Sequence, residues 1–482
     1  MKSLRDRISR SQLQDSNFRY SLSLTLVFAF VVFAGVFPLR GQDDTPQTDP
    51  ATTADAQVAV ESEFLEFARQ LVAASNTDFN VELVTVGPGA TPTNAFGHSA
   101  LRIVSGQELG AQDYMVDFGQ YDESFGFLWR FLRGEARFFV HVLPTAWAVN
   151  AWDSAARGMV TTRLKLSGPQ KTKLLKAVAE QVAEREQGYE YDNFHNNCVT
   201  YIRDLIGLAT DTRLSLDAFD DRRVDPAIFE GEQDTWRGRT FVWSNENFWL
   251  FVSENLLFDP DTDLKRKGDE LIFMPDDLLL AVQQAGLEGQ VRVLVPHRHA
   301  HNPAVLFRYG RIFESNILQR LFPPQLNQFS SPGYRSKIVL SGVMIIIVVL
   351  MLPISSLARY RLWGERSYAI IFGIAAIYAT LIRFGTLFHF MDGTLIPFFF
   401  FPLDILLFWN TAKAKDPERW RRRKFWYALV RIFMILLGLI FAGFVWPQAV
   451  LDLGFFALIF FALYAWNHRP AAAQSDLNRG TL

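Results

Sequence analysis

The chain has 482 residues, more than one ordinary domain needs, so at least two domains are predicted. Its formal net charge of −2 gives no basis for nucleic-acid binding. The chain has a single cysteine, so it cannot form a disulfide within itself and its thiol is free. Hydrophobic residues make up 49% of the chain, with 44 Phe and 12 Trp, and they are unevenly spread, which predicts a part-soluble, part-membrane protein.

The N-terminal region is predicted to direct the chain to a membrane. A polar, basic segment, 1–20, precedes the apolar run 21–39. This order is typical of a signal peptide or an uncleaved N-terminal membrane anchor, which we assign to 1–40. The next segment, 41–57, combines Asp with Thr, Pro and Ala and has no basic residue, which predicts a disordered linker.

Residues 58–335 are predicted to form an α+β domain. Helical spacing of apolar residues marks one helix around 64–71 and another over 168–187. Alternating or β-branched runs predict strands at 81–86, 98–104, 114–118, 137–143, 159–166 and 291–295. The domain would therefore combine a small sheet, which carries His98, with a helix that carries Cys198.

The central motif is DNFHNNCVT, residues 192–200, which contains the single cysteine. Apolar residues follow Cys198 at helical spacing, and Asn196 or Asn197 provides an N-cap. Cys198 then lies in the first helical turn, where free N–H groups and the helix dipole favour a thiolate. The run GHSALRIV predicts a strand that opens with His98, and a lone Cys with a distant His is typical of a cysteine nucleophile. The alternative is a buried structural Cys and a His that caps a loop.

Two other stretches have a structural and a functional interpretation. Aromatic residues are frequent in 236–258, where core packing is favoured over a lipid-facing interfacial segment. His297, His299 and His301 alternate, so their imidazoles would share one face of an extended segment. A solvated loop is favoured over a metal site because no acidic or Cys residue stands beside them. No metal ion or cofactor is predicted.

Residues 336–469 are predicted to form an all-α transmembrane domain. Apolar runs of about 20 residues mark five spans, near 338–358, 367–388, 394–410, 425–446 and 449–467. Lys and Arg fill the loops 359–366 and 413–424, whereas the alternate connections carry none. The basic loops and the tail, 470–482, are therefore predicted to be cytoplasmic, with 40–337 on the outer side.

Charged residues inside these spans need partners or access to the membrane surface. Asp404 and Arg431 fall at similar depth on antiparallel neighbours, which predicts a structural ion pair. Arg383 lies near the outer end of its span. A snorkelling side chain explains it, and a contact with a lipid phosphate is the alternative.

Several motifs together resemble a known family. NAFGHSALRI, YMVDFGQYD and FLRG, followed by YDNFHNNCVTYIRDLI, resemble the periplasmic domain of the Lnb-type lipoprotein N-acyltransferases. The resemblance covers most of 80–295, and five C-terminal spans match that family's architecture. The order of His before Cys also resembles permuted papain-like enzymes such as lecithin retinol acyltransferase. The implied fold is a permuted papain-like (NlpC-like) thiol domain followed by a five-helix transmembrane domain.

The resemblance implies Cys198 as nucleophile and His98 as base. Asp117, on the following strand, is chosen to orient the imidazole, and a structural Asp in a turn is the alternative. Backbone N–H groups at the start of the Cys198 helix, supported by Asn196 or Asn197, would form an oxyanion hole.

The implied activity is transfer of an acyl chain, through a Cys thioester, from a membrane phospholipid to the N-terminal amine of a diacylated lipoprotein. The implied location is the bacterial inner membrane, with the catalytic domain in the periplasm. Three alternatives stay open: a cell-wall Cys peptidase or amidase, a phospholipase or thioesterase that uses water, and a non-enzymatic membrane scaffold.

Overall fold

The structure is a computed structural model. It describes 50–75, 77–88, 94–105, 112–121, 126–155, 157–184, 187–216, 234–244, 254, 257–296, 332–357, 360–392, 394, 396–408, 416–445 and 448–470. The predicted signal peptide or anchor, the three alternating histidines and residues 471–482 lie outside this set.

A seven-stranded antiparallel sheet forms the centre of the N-terminal domain, in the order β6-β4-β3-β2-β1-β5-β7. Each strand predicted from the residue pattern is observed. The strands are β1 Asn80–Val86, β2 His98–Val104, β3 Asp113–Tyr121, β4 Arg137–Pro144, β5 Met159–Leu164, β6 Tyr189–Glu190 and β7 Glu288–Val295.

Helices cover both faces of this sheet. The helices of the domain are α1 Pro50–Ala73, α2 Phe127–Arg133, α3 Thr145–Ser154, α4 Gly168–Ala183, α5 Cys198–Thr210, α6 Trp236–Ser244 and α7 Pro275–Gln284, with 3-10 turns at Pro260–Asp263 and Asp269–Leu271. Core residues of α1, α4, α5 and α7 pack on one face, and α3 packs on the other. The mixed α+β class is therefore confirmed.

The first helix begins earlier than the composition of its segment predicts. Helix α1 starts at Pro50, so residues 50–57 of the predicted linker 41–57 are helical. Proline is favoured in the first turn of a helix, and the alanines that follow have high helix propensity. The buried residues Phe64 and Phe67 then bind the helix to the core.

The aromatic stretch 236–258 contributes to core packing wherever its side chains are described. Trp236 and Phe258 are buried, and both pack against Phe194, with ring centroids 4.5 Å and 5.8 Å from its own. Residues 245–253 lie outside the described set.

The C-terminal part is helical. Its helices are α8 Pro332–Met351, α9 Arg361–Gly385, α10 His389–Asp392, α11 Ile396–Phe399, α12 Pro417–Val445 and α13 Gln448–His468, with 3-10 turns at Ser355–Leu357 and Pro402–Phe408. By length and composition, two of the described segments are apolar enough to cross a membrane, Arg361–Gly385 and His389–Leu407. The five-span arrangement stays a prediction.

The third predicted span, 394–410, is not one regular helix. It consists of α11 and a 3-10 turn that begins at Pro402. Proline has no N–H to donate to the carbonyl four residues earlier, so Pro402 ends the α-helical pattern and leaves the carbonyl of Phe398 without a helical donor.

An ion pair between Asp404 and Arg431 stabilises this break. Both side chains are buried, and Arg431 donates from Nε to Oδ1 at 2.9 Å and from Nη2 to Oδ2 at 3.1 Å. Arg431 also donates to the carbonyls of Phe398 at 3.0 Å and Phe399 at 2.6 Å. The pair predicted from depth alone is therefore present, and its Arg431 also donates to the Phe398 carbonyl that Pro402 leaves without a helical donor.

Replacing Asp404 with Ala should lower the free energy of unfolding by ~3–5 kcal/mol, because Arg431 would stay buried without a carboxylate. Unfolding of the purified chain in detergent measures this loss. Glu418→Ala is the control, because its pair with Arg421 is exposed and 3.6 Å long. The control should lose no more than about 1 kcal/mol. Equal, small losses in both variants would contradict a buried ion pair at Asp404.

Candidate active site

Helix α5 begins at Cys198 because Asn197 caps it. Asn197 is extended, and its Oδ1 accepts hydrogen bonds from the N–H groups of Val199 at 2.8 Å and Thr200 at 3.0 Å. The Thr200 hydroxyl oxygen accepts from the Asn197 N–H at 2.8 Å, which completes a capping box. The sulfur of Cys198 is thereby placed at the first position of a well-defined helix.

The two asparagines have different roles. The Asn197 amide donates to the carbonyls of Asn193 at 2.7 Å and Phe273 at 3.1 Å, so the cap is also bound to the domain core. Asn196 instead donates to the carbonyl of Glu190 at 2.7 Å and exchanges backbone hydrogen bonds with Asp192. Asn196 therefore shapes the loop before the helix, while Asn197 caps the helix itself.

The antiparallel ladder brings His98 and Asp117 together. Ala100 pairs with Asp117, and His98 lies two residues before Ala100 on the same side of β2. His98 Nε2 is 2.8 Å from Asp117 Oδ1, and the same oxygen accepts from the Gly119 N–H at 2.6 Å. Cys198 also acts electrostatically on the His98 ring, so the sulfur is close enough to influence protonation of the imidazole. Cys198, His98 and Asp117 therefore form one group of interacting side chains.

The charges of this group favour a protonated imidazole. Burial by itself would lower the pKa of His98, but the charges of Asp117 and Cys198 and hydrogen bonds to both raise it to about 10. Burial would raise the pKa of the Asp117 carboxyl, but His98 and, more weakly, His141 bring it below the ordinary value. At neutral pH the His98 ring is therefore an imidazolium.

Gly119 leaves room for the imidazole. A Cβ at this position would lie 2.6 Å from His98 Cε1 and 3.2 Å from Asp117 Oδ1. Contacts this short are not tolerated, so a side chain here would displace the ring or the carboxylate. Glycine at position 119 therefore allows the close contact between His98 and Asp117.

Two tyrosines that interact electrostatically with Cys198 were missed by sequence reasoning. Burial raises the pKa of Tyr189 and of Tyr191, and the nearby charge of Cys198 raises both further. The Tyr189 hydroxyl donates to the carbonyl of Phe118. The Tyr191 ring stacks on Phe138 with centroids 4.2 Å apart. The alternating run YEYD was the available signal, but nothing local connects it with the thiol.

Within the described part of the chain, the predicted lipid-phosphate residue, Arg383, has no contact with Cys198, His98 or Asp117. Arg383 donates from Nη1 to the carbonyl of Thr394 at 2.5 Å, and its contact with a lipid phosphate stays a prediction. Among the described residues no cluster of three or more His, Cys, Asp or Glu could hold a metal ion.

Comparison with known proteins supports a family relationship for the N-terminal domain. Residues 66–238 match the family model described as the Lnb N-terminal periplasmic domain, and this range includes His98, Asp117 and Cys198. No curated protein and no solved structure matches the chain. The match, together with the two apolar segments, indicates a membrane-associated protein with an Lnb-type periplasmic domain.

Gly119→Ala should displace His98 from Asp117 and lower the pKa of His98 from about 10. Burial lowers this pKa, and a more distant Asp117 would oppose that effect less strongly. NMR titration of the His98 ring, assigned with a His98→Gln variant, measures the change. Gly342→Ala is the control, because a Cβ there has no atom within 4 Å. A His98 pKa that stays near 10 in Gly119→Ala would show that the ring does not need this space.

Proposed function

We propose that the protein is a thiol-dependent N-acyltransferase that transfers an acyl chain from a phospholipid to the N-terminal amine of a diacylated lipoprotein. The observation that carries this proposal is Cys198 at the start of a capped helix, interacting electrostatically with His98, which in turn is hydrogen-bonded to Asp117. The Lnb-type match over 66–238 supports the choice of substrates. The permuted papain-like fold is part of the proposal, because His98 precedes Cys198 in the chain.

Contacts between the two parts of the chain favour a membrane-borne substrate. The segment after α9 donates from the Leu387 N–H to the carbonyl of Arg133 at 2.7 Å. Its carbonyl at Phe390 accepts from the Asp259 N–H at 2.8 Å. The Phe390 ring also lies 4.8 Å from that of Phe194, in the loop that leads to the thiol. We infer that the active site faces the outer surface of the inner membrane, above the five predicted spans.

In the first half-reaction the Cys198 thiolate attacks the carbonyl carbon of a phospholipid ester. A C–S bond forms, and the carbonyl electrons move to oxygen to give a tetrahedral oxyanion. When the oxyanion collapses, the ester C–O bond breaks, and the leaving alkoxide takes the proton from the His98 imidazolium. The products are a thioester on Cys198, a lysophospholipid and a neutral His98.

The oxyanion has few backbone donors, because Asn197 already binds the N–H groups of Val199 and Thr200. Among the described residues, the Cys198 N–H is the donor of this turn with no bound acceptor. We therefore assign the Cys198 N–H as a donor to the oxyanion.

In the second half-reaction the lipoprotein amine attacks the thioester carbon. Neutral His98 takes a proton from the attacking nitrogen, an amide C–N bond forms and the C–S bond breaks. The thiolate and the imidazolium are thereby restored. Asp117 remains a carboxylate throughout and holds the ring through Nε2.

A phospholipase is the second candidate, because the same thioester could be cleaved by water. A cell-wall peptidase or amidase is disfavoured, because a substrate that lies outside the bilayer gives no reason to bind the thiol loop to Phe390 of the apolar C-terminal part. The order of the half-reactions separates transfer from hydrolysis.

Full-length protein given phospholipid vesicles without an acceptor should gain one acyl mass on Cys198, and neutral hydroxylamine should remove it. A diacylated lipopeptide with a free amine should then discharge the thioester and become longer by one acyl chain. His98→Ala should slow acylation by roughly 10²–10⁴-fold, the usual contribution of a general acid or base. Intact-mass spectrometry measures each step.

An N-acetylated lipopeptide is the matched control, because its nitrogen is not nucleophilic, and it should leave the thioester in place. Release of free fatty acid at the same rate with and without the amine would make the protein a phospholipase. Absence of any acyl adduct on Cys198 would overturn the enzyme proposal.

A further inference from the structure

Three helices of the C-terminal part meet at a buried carboxylate. Glu365, near the start of α9, accepts a hydrogen bond from Lys424 Nζ at 3.1 Å, and its other oxygen is 2.9 Å from His468 Nε2. Lys424 belongs to α12, and His468 is the last residue of α13. Lys424 Nζ also lies 5.6 Å from the centroid of the Tyr464 ring, on α13. These contacts hold the start of α9, the start of α12 and the end of α13 together.

Each of these three helix ends carries a Trp followed three residues later by an Arg. The pairs are Trp363 and Arg366, Trp420 and Arg423, and Trp466 and Arg469. Residues three apart are neighbours on a helix surface. The Arg423 guanidinium lies 5.6 Å from the Trp420 ring centroid, and the Arg469 guanidinium lies 4.1 Å from the Trp466 ring centroid. We call the six residues the Trp–Arg cluster.

The Trp–Arg cluster is exposed and lies in a strongly basic region. Its three indole side chains are between 41% and 49% exposed. Basic residues occupy five of the six positions 419–424. Both oxygens of Glu365 are already bound, and among the residues that the structure describes neither Arg423 nor Arg469 forms an ion pair. The cluster therefore presents positive charge beside exposed indole rings.

We propose that the Trp–Arg cluster binds the headgroup of an anionic phospholipid, in the leaflet predicted to be cytoplasmic. Guanidinium groups bind phosphate oxygens with paired N–H donors. Indole rings favour the boundary between headgroups and acyl chains, and basic sites between helix ends recognise anionic lipids. A free phosphate ion would use the guanidinium groups but not the exposed indoles, so the lipid is the assigned ligand. This inference does not depend on the chemistry at Cys198.

The test is native mass spectrometry of the full-length protein in a neutral detergent, titrated with phosphatidylglycerol or with phosphatidylcholine. Both lipids carry ether-linked chains, so they cannot acylate Cys198. The wild type should bind phosphatidylglycerol more tightly. Arg423→Gln combined with Arg469→Gln should weaken that binding about 25-fold, because each cation at an anionic lipid surface contributes about fivefold. The affinity for phosphatidylcholine should not change.

Lys165→Gln combined with Lys176→Gln is the matched control, because it removes two exposed positive charges from the N-terminal domain and should change neither affinity. Arg423→Lys combined with Arg469→Lys retains the charge and should keep the preference for phosphatidylglycerol. Equal affinities in the two double Gln variants, or equal affinity of the wild type for the two lipids, would overturn the inference. Loss of the preference in the double Lys variant would overturn it too, because charge would then not be its cause. Displacement of phosphatidylglycerol by millimolar inorganic phosphate would assign the cluster to a free ion instead.

Discussion

The side chain of Asn197 is the constraint on which the active site depends. One amide accepts from two N–H groups of α5 and donates to two carbonyls, those of Asn193 and Phe273. The Asn197 side chain thereby binds the start of α5 to the preceding loop and to the segment before α7. This arrangement fixes the sulfur of Cys198 and leaves the Cys198 N–H as the donor nearest to it.

A second set of contacts joins this unit to the apolar C-terminal part. Phe194 stacks on Trp236 with centroids 4.5 Å apart and meets Phe390 edge-on at 4.8 Å. The loop before the thiol therefore rests on the segment that follows α9. Under the proposed function, this connection would hold the thiol near the bilayer that contains the acyl donor.

Much of the fold follows from local patterns in the sequence. The strands, the Cys198 helix and the Asp404–Arg431 pair were predictable because periodicity, capping chemistry and depth in a span are local quantities. The break at Pro402 should also have been predicted from the missing N–H. The space at Gly119 arises where His98 and Asp117, on two different strands, meet, so local patterns could not show it.

The central claim is that Cys198 acylates lipoproteins, and mass spectrometry of lipoprotein N-termini tests it most directly. The full-length protein and its Cys198→Ala variant would be expressed equally in cells that lack any other lipoprotein N-acyltransferase. With the wild type, N-terminal cysteines should carry an amide-linked acyl chain besides the diacylglyceryl group. With the variant, the α-amine should stay free. N-acylated termini at the same level in both strains would contradict the account.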